Sequence, residues 1–280
     1  MRVHHLNCGT DCPFGGAFMD GRSKGATARL VCHCLLIESD AHGLVLVDTG
    51  YGLKDVRDPF PRLSRPFAAM LNIRLREEET AIRQVEGLGF DPADVRHIVL
   101  THLDFDHAGG LEDFPGAAVH LMDAELDALR NRRRGFVTRN RYRPMQLDEV
   151  RTWRTYDGEG EPWFGFDSVR DLDGLPPEIL LVPLTGHTWG HAGVAIDTGS
   201  GWLLHAGDAY FHEDEVRRPG RRCPPGLRLY QNMMEVDRAA RVGNQERLRQ
   251  LSLDETAGVR MICAHDAAEF ERCLEGRPPG

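Results

Sequence analysis

A mixed α/β fold, with sheet layers covered by helices, is what the sequence predicts, and three observations carry that reading. Short runs rich in Val, Ile and Leu recur along both halves of the 280 residues and end at Gly, Asp, Thr or His. Helical periodicity lies between only some of these runs, which argues against a strictly alternating doubly wound sheet. The composition, 41% apolar and 28% charged, belongs to a globular chain with ample length for a sizeable core.

The elements follow in order. β-type runs are Val31–Ser39, Leu44–Asp48, His97–Thr101, Ala117–Met122, Ile179–Leu184, Gly193–Asp197, Trp202–His205 and Arg260–Ala264. Thr80–Leu88 places Ile82, Val85 and Leu88 on one helical face and stops at Gly89. Asp123–Leu129 reads as a short helix and Val236–Leu251 as a longer one with a charged outer side. Asp55–Pro66, with three prolines, and Arg130–Asp167 read as loops or insertions, and Pro224-Pro225 as a breaker. Neither insertion reads as a domain linker, because residues with metal-ligand chemistry fall on both sides of each.

Charge and cysteine usage exclude some classes. Lys plus Arg number 34 against 43 Asp plus Glu, a net charge of −9, which is unlike a nucleic-acid binder, whose affinity comes mostly from neutralising phosphate. No apolar run approaches the ~18 residues of a membrane span. Seven irregularly spaced cysteines and an N-terminus, MRVHHLNCGT, without an apolar signal core predict a cytoplasmic protein with free thiols. The expected partner is a small-molecule substrate, with neither nucleic acid nor membrane; the sequence leaves the oligomeric state open.

The segment Thr101-His102-Leu103-Asp104-Phe105-Asp106-His107-Ala108-Gly109-Gly110 carries the strongest chemical signal. In an extended chain His102, Asp104 and Asp106 share a face, and His107 turns in as the chain bends. Imidazole and carboxylate together suit zinc, iron or manganese. Three further segments place a ligand-type residue just past a buried run: Thr185-Gly186-His187-Thr188-Trp189-Gly190-His191, Leu203-Leu204-His205-Ala206-Gly207-Asp208-Ala209 and Met261-Ile262-Cys263-Ala264-His265-Asp266. A lone His or Asp at a strand end is usually a cap, but this ordered set is not so easily dismissed.

On these residues the sequence resembles the metallo-β-lactamase-fold superfamily of metallo-hydrolases, and within it the N-acyl-homoserine lactonase-like group. The family's His-x-His-x-Asp-His, Gly-His-Thr, Asp and late His fall on His102-x-Asp104-x-Asp106-His107, His187, Asp208 and His265, and its earlier Asp-Thr-Gly on Asp48-Thr49-Gly50. The resemblance implies a four-layer αβ/βα sandwich, a single domain over 1–280 with insertions near 51–76 and 130–167, and a site at one edge between two sheets. It implies two divalent ions, zinc foremost, held by His102, Asp104, Asp106, His107, His187, Asp208 and His265, with Asp48 and His191 behind them. A hydroxide shared by the ions would attack an ester or lactone carbonyl, with Asp208 bridging and Asp106 orienting the nucleophile and passing its proton on.

Asp104 stands where the family usually has His. Its extra charge is expected to weaken Lewis acidity and tilt the preference toward iron or manganese. Seven arginines between Arg130 and Arg143 form a basic run whose bland reading is a solvated face. The functional reading makes Arg139, Arg141 and Arg143 a clamp for an anionic substrate group. Tyr210, two residues after Asp208, is a candidate for polarising a carbonyl; the related lactonases carry their Tyr one residue further on. The alternatives are a thioesterase or phosphodiesterase of the same fold, a di-iron redox protein, and a metal-binding scaffold without catalysis.

Overall fold

The computed structural model describes residues 1–39, 41–131, 135–157, 160–167 and 170–276. Among the described residues twelve strands form two sheets: β1 (Arg2–Asp11), β2 (Leu30–Ser39), β3 (Gly43–Val47), β4 (Ile73–Arg74), β5 (Val95–Val99), β6 (Ala118–Met122), β7 (Thr152–Tyr156), β8 (Arg170–Asp171), β9 (Ile179–Pro183), β10 (Ala192–Asp197), β11 (Trp202–His205) and β12 (Val259–Ile262). The first sheet has the order β4-β1-β2-β3-β5-β6-β7 and the second β12-β11-β10-β9-β8. Pairing is antiparallel through β1, β2 and β3 and parallel from β3 through β5 and β6 to β7. In the second sheet only β11 and β12 run parallel.

Strand alternation builds the layers. Leu35, Ile37, Val45, Val47 and Val99 of the first sheet meet Ile179, Leu181, Val194, Ile196 and Ile262 of the second. The opposite face of the first sheet, with Leu36, Leu46, Ile98 and Val119, packs on Ala81 and Val85 of helix Ala81–Gly87 and on Leu126 of helix Asp123–Arg130. Leu180, Val182, Leu204 and Met261 on the outer face of the second sheet pack on Leu248 and Leu251 of helix Arg238–Leu253. The result is helix, sheet, sheet and helix in succession.

Three stretches differ from the sequence reading. The proline-rich segment after Asp55 is largely helical, with turns at Leu53–Arg57 and Pro59–Arg62 and a helix at Arg65–Leu71. The second insertion supplies helix Phe136–Arg141 and the edge strand β7. Pro225 opens helix Pro225–Met234 instead of breaking one, because a first-turn proline lacks only an N–H that would have no partner there. Arg132, Arg133 and Arg134 lie outside the described residues. All seven cysteines are free, and among the described residues no helix is long and apolar enough to cross a membrane.

Candidate metal centre

Five strands of the two sheets deliver their C-terminal ends to one edge. Asp48 follows β3, His102 follows β5, His187 follows β9, Asp208 follows β11 and His265 follows β12. The short helix Phe105–Ala108 turns Asp106 and His107 inward. All seven residues from His102 to His265 are buried, although four are imidazoles and three are carboxylates.

Their ligating atoms form two clusters that meet at Asp208. Asp208 Oδ2 lies 3.8 Å from His102 Nε2 and 3.2 Å from His187 Nε2, while Asp104 Oδ2 lies 3.3 and 3.1 Å from the same two nitrogens. Asp208 Oδ1 lies 3.4 Å from His107 Nε2 and 3.1 Å from His265 Nε2, and those nitrogens are 3.3 Å apart. Asp106 Oδ2 completes this second set at 3.7 Å from His265 Nε2 and 4.0 Å from His107 Nε2. A tetrahedral ion with ligands at 2.0–2.2 Å spreads them by about 3.3–3.6 Å, so both clusters have the size of a first-row metal site. Among the described residues His102 Nε2 and Asp208 Oδ1 are buried without a hydrogen-bond partner, as expected of atoms kept for a cation. Donor chemistry, spacing and orphaned atoms therefore fit divalent metal.

The surroundings fix most ring orientations. Asp48, at a positive φ of 56°, accepts from Thr101 N (2.8 Å), Thr101 Oγ1 (2.8 Å) and His107 Nδ1 (2.8 Å). With its proton given to Asp48, the Thr101 hydroxyl accepts from His102 Nδ1 at 2.9 Å. His265 Nδ1 donates to the Val31 carbonyl at 2.7 Å. These three rings thus present Nε2 to the centre. Both nitrogens of His191 are used, Nδ1 toward Leu184 O (2.9 Å) and Nε2 accepting from Asp208 N (2.9 Å), so this ring sets the Asp208 backbone. Gly207 makes room for it: at φ +54° a Cβ there would stand 2.7 Å from His191 Nε2.

Four expected substrate groups are placed elsewhere. Arg141 is buried and grips Asp104, with Nε donating to Oδ1 at 2.6 Å and Nη2 to Oδ2 at 2.7 Å. Its charge offsets the extra carboxylate that the sequence reading left uncompensated. Arg143 donates to the carbonyls of Arg62 and Pro61, and Arg139 lines a separate cavity with Leu129, Tyr142 and Met145. No three-arginine clamp forms over the centre. Tyr210 turns away, its hydroxyl donating to Glu269 (3.2 and 3.3 Å), and it is Phe211 that stacks on His265.

Charges shape the metal-free site. Burial alone would raise Asp104, but Arg141 and His102 hold it well below the usual carboxylate range. Burial would lower His107, yet Asp208, Asp106 and Asp48 lift it to about 10. His265 is lifted against burial to about 9 by Asp208 and Asp106. Burial keeps His187 down at about 4, with the Arg141 charge adding to it. The Asp106 carboxyl is pushed up by burial.

Four residues stand at the site that the sequence reading did not place there. Asp11, at the end of β1, is buried, accepts from Tyr51 OH at 3.0 Å, and is raised to about 7 by burial and by the nearby charge of Asp106. The Cys32 thiol shares a cluster with Asp106 and His265, and burial holds it well above its ordinary value. Tyr230 packs edge-on against Phe211, and its phenol lies in the field of Asp106, Asp104, Asp208 and Asp11. Glu125 accepts from Leu103 N (3.1 Å) and Gly190 N (2.9 Å). Only spatial neighbours give these residues a role; none sits in a motif.

A family model described as the metallo-beta-lactamase superfamily matches residues 27–244. A probable metallo-hydrolase of Mycobacterium tuberculosis is 41% identical over 273 residues, covering 95% of this chain and 80% of that protein. An N-acyl homoserine lactonase of Bacillus cereus is 26% identical over 235 residues, covering 80% of this chain and 86% of its own length. A solved N-acyl homoserine lactone hydrolase, with N-hexanoyl-L-homoserine bound at its catalytic metal center, has a TM-score of 0.69 at 19% identity, covering 97% of this chain and 95% of that one.

Proposed function

Because the chain belongs to the metallo-beta-lactamase superfamily and is a metallo-hydrolase, we propose that it hydrolyses esters, lactones first, at a centre built for two divalent ions, zinc foremost. The observation that carries this is the division of Asp208, whose Oδ2 faces His102 and His187 while Oδ1 faces His107 and His265. His102, Asp104, His187 and Asp208 would hold one ion, and Asp106, His107, His265 and Asp208 the other. When bound, such ions supply Lewis acidity and lower the pKa of water at the site.

The protein's own groups do the rest. Asp106 points a buried carboxyl into the second cluster, placed to hold a proton and hand it to the leaving oxygen. Tyr230, packed edge-on against Phe211 and close enough to feel the charge of Asp106, would polarise the substrate carbonyl in place of Tyr210. Tyr230 also borders an apolar cavity of about 190 Å³ lined by Phe14, Phe18, Met19, Met70, Leu229 and Met233. Phe14 is 71% exposed and Leu229 67% exposed, apolar surface suited to the acyl or alkyl chain of an ester. The lactonase names of several relatives support a lactone over an open-chain ester.

Purified, metal-analysed protein assayed on acyl lactones of increasing chain length, acyl thioesters and phosphodiesters tests this reading. Lactone turnover that rises with acyl length is the expected result. Turnover of thioesters or phosphodiesters alone would reassign the substrate class.

A further inference from the structure

We propose that Arg141 makes the two ends of the centre unequal: its guanidinium competes with a divalent cation for the His102–Asp104–His187–Asp208 position, which therefore binds metal at least tenfold more weakly than the Asp106–His107–His265–Asp208 position. The inference rests on the two-position reading above and deepens it.

The argument begins with donors. A guanidinium has five N–H groups, and in this buried site each has an acceptor. Nε donates to Asp104 Oδ1 (2.6 Å), and Nη1 donates to the carbonyls of Met234 (2.7 Å) and His187 (3.2 Å). Nη2 donates to Asp104 Oδ2 (2.7 Å) and to His187 Nε2 (2.8 Å). The last contact uses the single lone pair with which His187 would bind a metal. A cation that takes that lone pair leaves one Nη2 proton of Arg141 buried without an acceptor, which is costly. Asp104 Oδ2 is shared in the same way between the guanidinium and the cluster. His187 Nδ1 is itself buried without a partner, so nothing on the far side of the ring holds it in the metal-binding orientation.

The other end has none of this. His107 Nδ1 is held by Asp48 at 2.8 Å and His265 Nδ1 by Val31 O at 2.7 Å, and among the described residues neither Nε2 meets an arginine. The guanidinium is also fixed from behind. Met234 is the last residue of helix Pro225–Met234, whose C-terminal carbonyls attract a cation. The backbone bridge between Asp104 and Tyr142 keeps the neighbouring residue against the metal loop. Arg141 is therefore a positioning residue, built in where the usual histidine has been replaced by Asp104.

The test is a zinc titration of the metal-stripped full chain, followed by calorimetry and by competition with a chelator of known affinity. The wild type should show two steps at least tenfold apart, the tight one lost in His265→Ala and the weak one in His187→Ala. Arg141→Gln should tighten the weak step tenfold or more and move the tight step less than about threefold. Arg141→Lys, which keeps the charge and loses the fork, should fall between the two. Two wild-type steps within threefold of each other would overturn the proposal, even if Arg141→Gln does not fold. Weakening of the weak step in a folded Arg141→Gln protein would also overturn it and leave Arg141 a structural role. Absence of any tight zinc would instead overturn the metal reading underneath.

Discussion

The two ends of the candidate centre gather the same kinds of side chain, imidazoles and carboxylates, and sit in opposite electrostatic surroundings. At one end Asp208, Asp106 and Asp48 overcome burial and lift His107 to about 10 and His265 to about 9. At the other, burial and the charge of Arg141 hold His187 at about 4. A proton is a cation too, so the first pair lies where positive charge is welcome and His187 where it is not. What separates them is not the ligand list but the groups one layer behind it: carboxylates behind His107, a guanidinium behind His187.

The largest effect expected from breaking this comparison is at the carboxylate-rich end. Asp106→Asn removes the proposed proton acceptor and metal ligand in one nearly isosteric change, and should lower kcat by about 10²–10⁴-fold with an unchanged circular dichroism spectrum. Near-normal turnover in folded protein would remove Asp106 from the chemistry.

Next comes the Asp104–Arg141 pair. Asp104→His alone leaves Arg141 as a buried charge without its carboxylate and should cost about 3–5 kcal/mol in denaturant unfolding of the metal-free protein. The double variant Asp104→His, Arg141→Gln should recover much of that loss. If the two changes simply add, the pair is not coupled.

Proton release sharpens the contrast further. In the metal-free protein the carboxylates favour a proton on the His107–His265 pair, so metal uptake at their end must expel a proton and should tighten as pH rises toward about 9–10. Uptake at the other end should release none from His187, which is neutral above about 4. Calorimetry in buffers of differing ionisation enthalpy counts the protons per step. By the same linkage, rings raised in the folded state stabilise the metal-free fold fully below the unfolded histidine pKa, about 6.5. That support is lost as pH climbs through 9 and 10, and melting temperatures across this range should fall.

The smallest effects separate the two tyrosines. Tyr230→Phe should lower kcat/KM about tenfold, the size of one hydrogen bond made in the transition state. Tyr210→Phe should change it by less than about threefold, because that hydroxyl is spent on Glu269. Equal effects would show that neither phenol reaches the substrate.

The clustering of His and Asp at the strand ends was legible because each follows a short apolar run, and a strand's C-terminal end is a fixed place in such a fold. The four-layer arrangement was legible from the resemblance and from runs that mark most of the strands. Strand β1 was not, since its His4, His5 and Asn7 break the alternation; His5 Nδ1 instead finds His33 Nε2 across the sheet at 2.8 Å. Arg141 was found as chemistry and misplaced as geometry: a dense arginine run looks solvated, and nothing local says that one of its members ends a helix under the metal loop. Asp11, Tyr230 and Glu125 were invisible for a simpler reason, because their partners stand far away in sequence.

Glu125 has a mechanical meaning. One oxygen holds Leu103 N, beside the ligands that follow β5, and the other holds Gly190 N, in the loop that follows β9 of the opposite sheet. A Cβ at residue 190 would stand 2.3 Å from Glu125 N, so the two segments are already pressed together. One carboxylate thus acts as a rivet through both sheets, and the two halves of the molecule must yield together. An ion seated between them would therefore register in the melting of the whole chain, as ligand linkage requires.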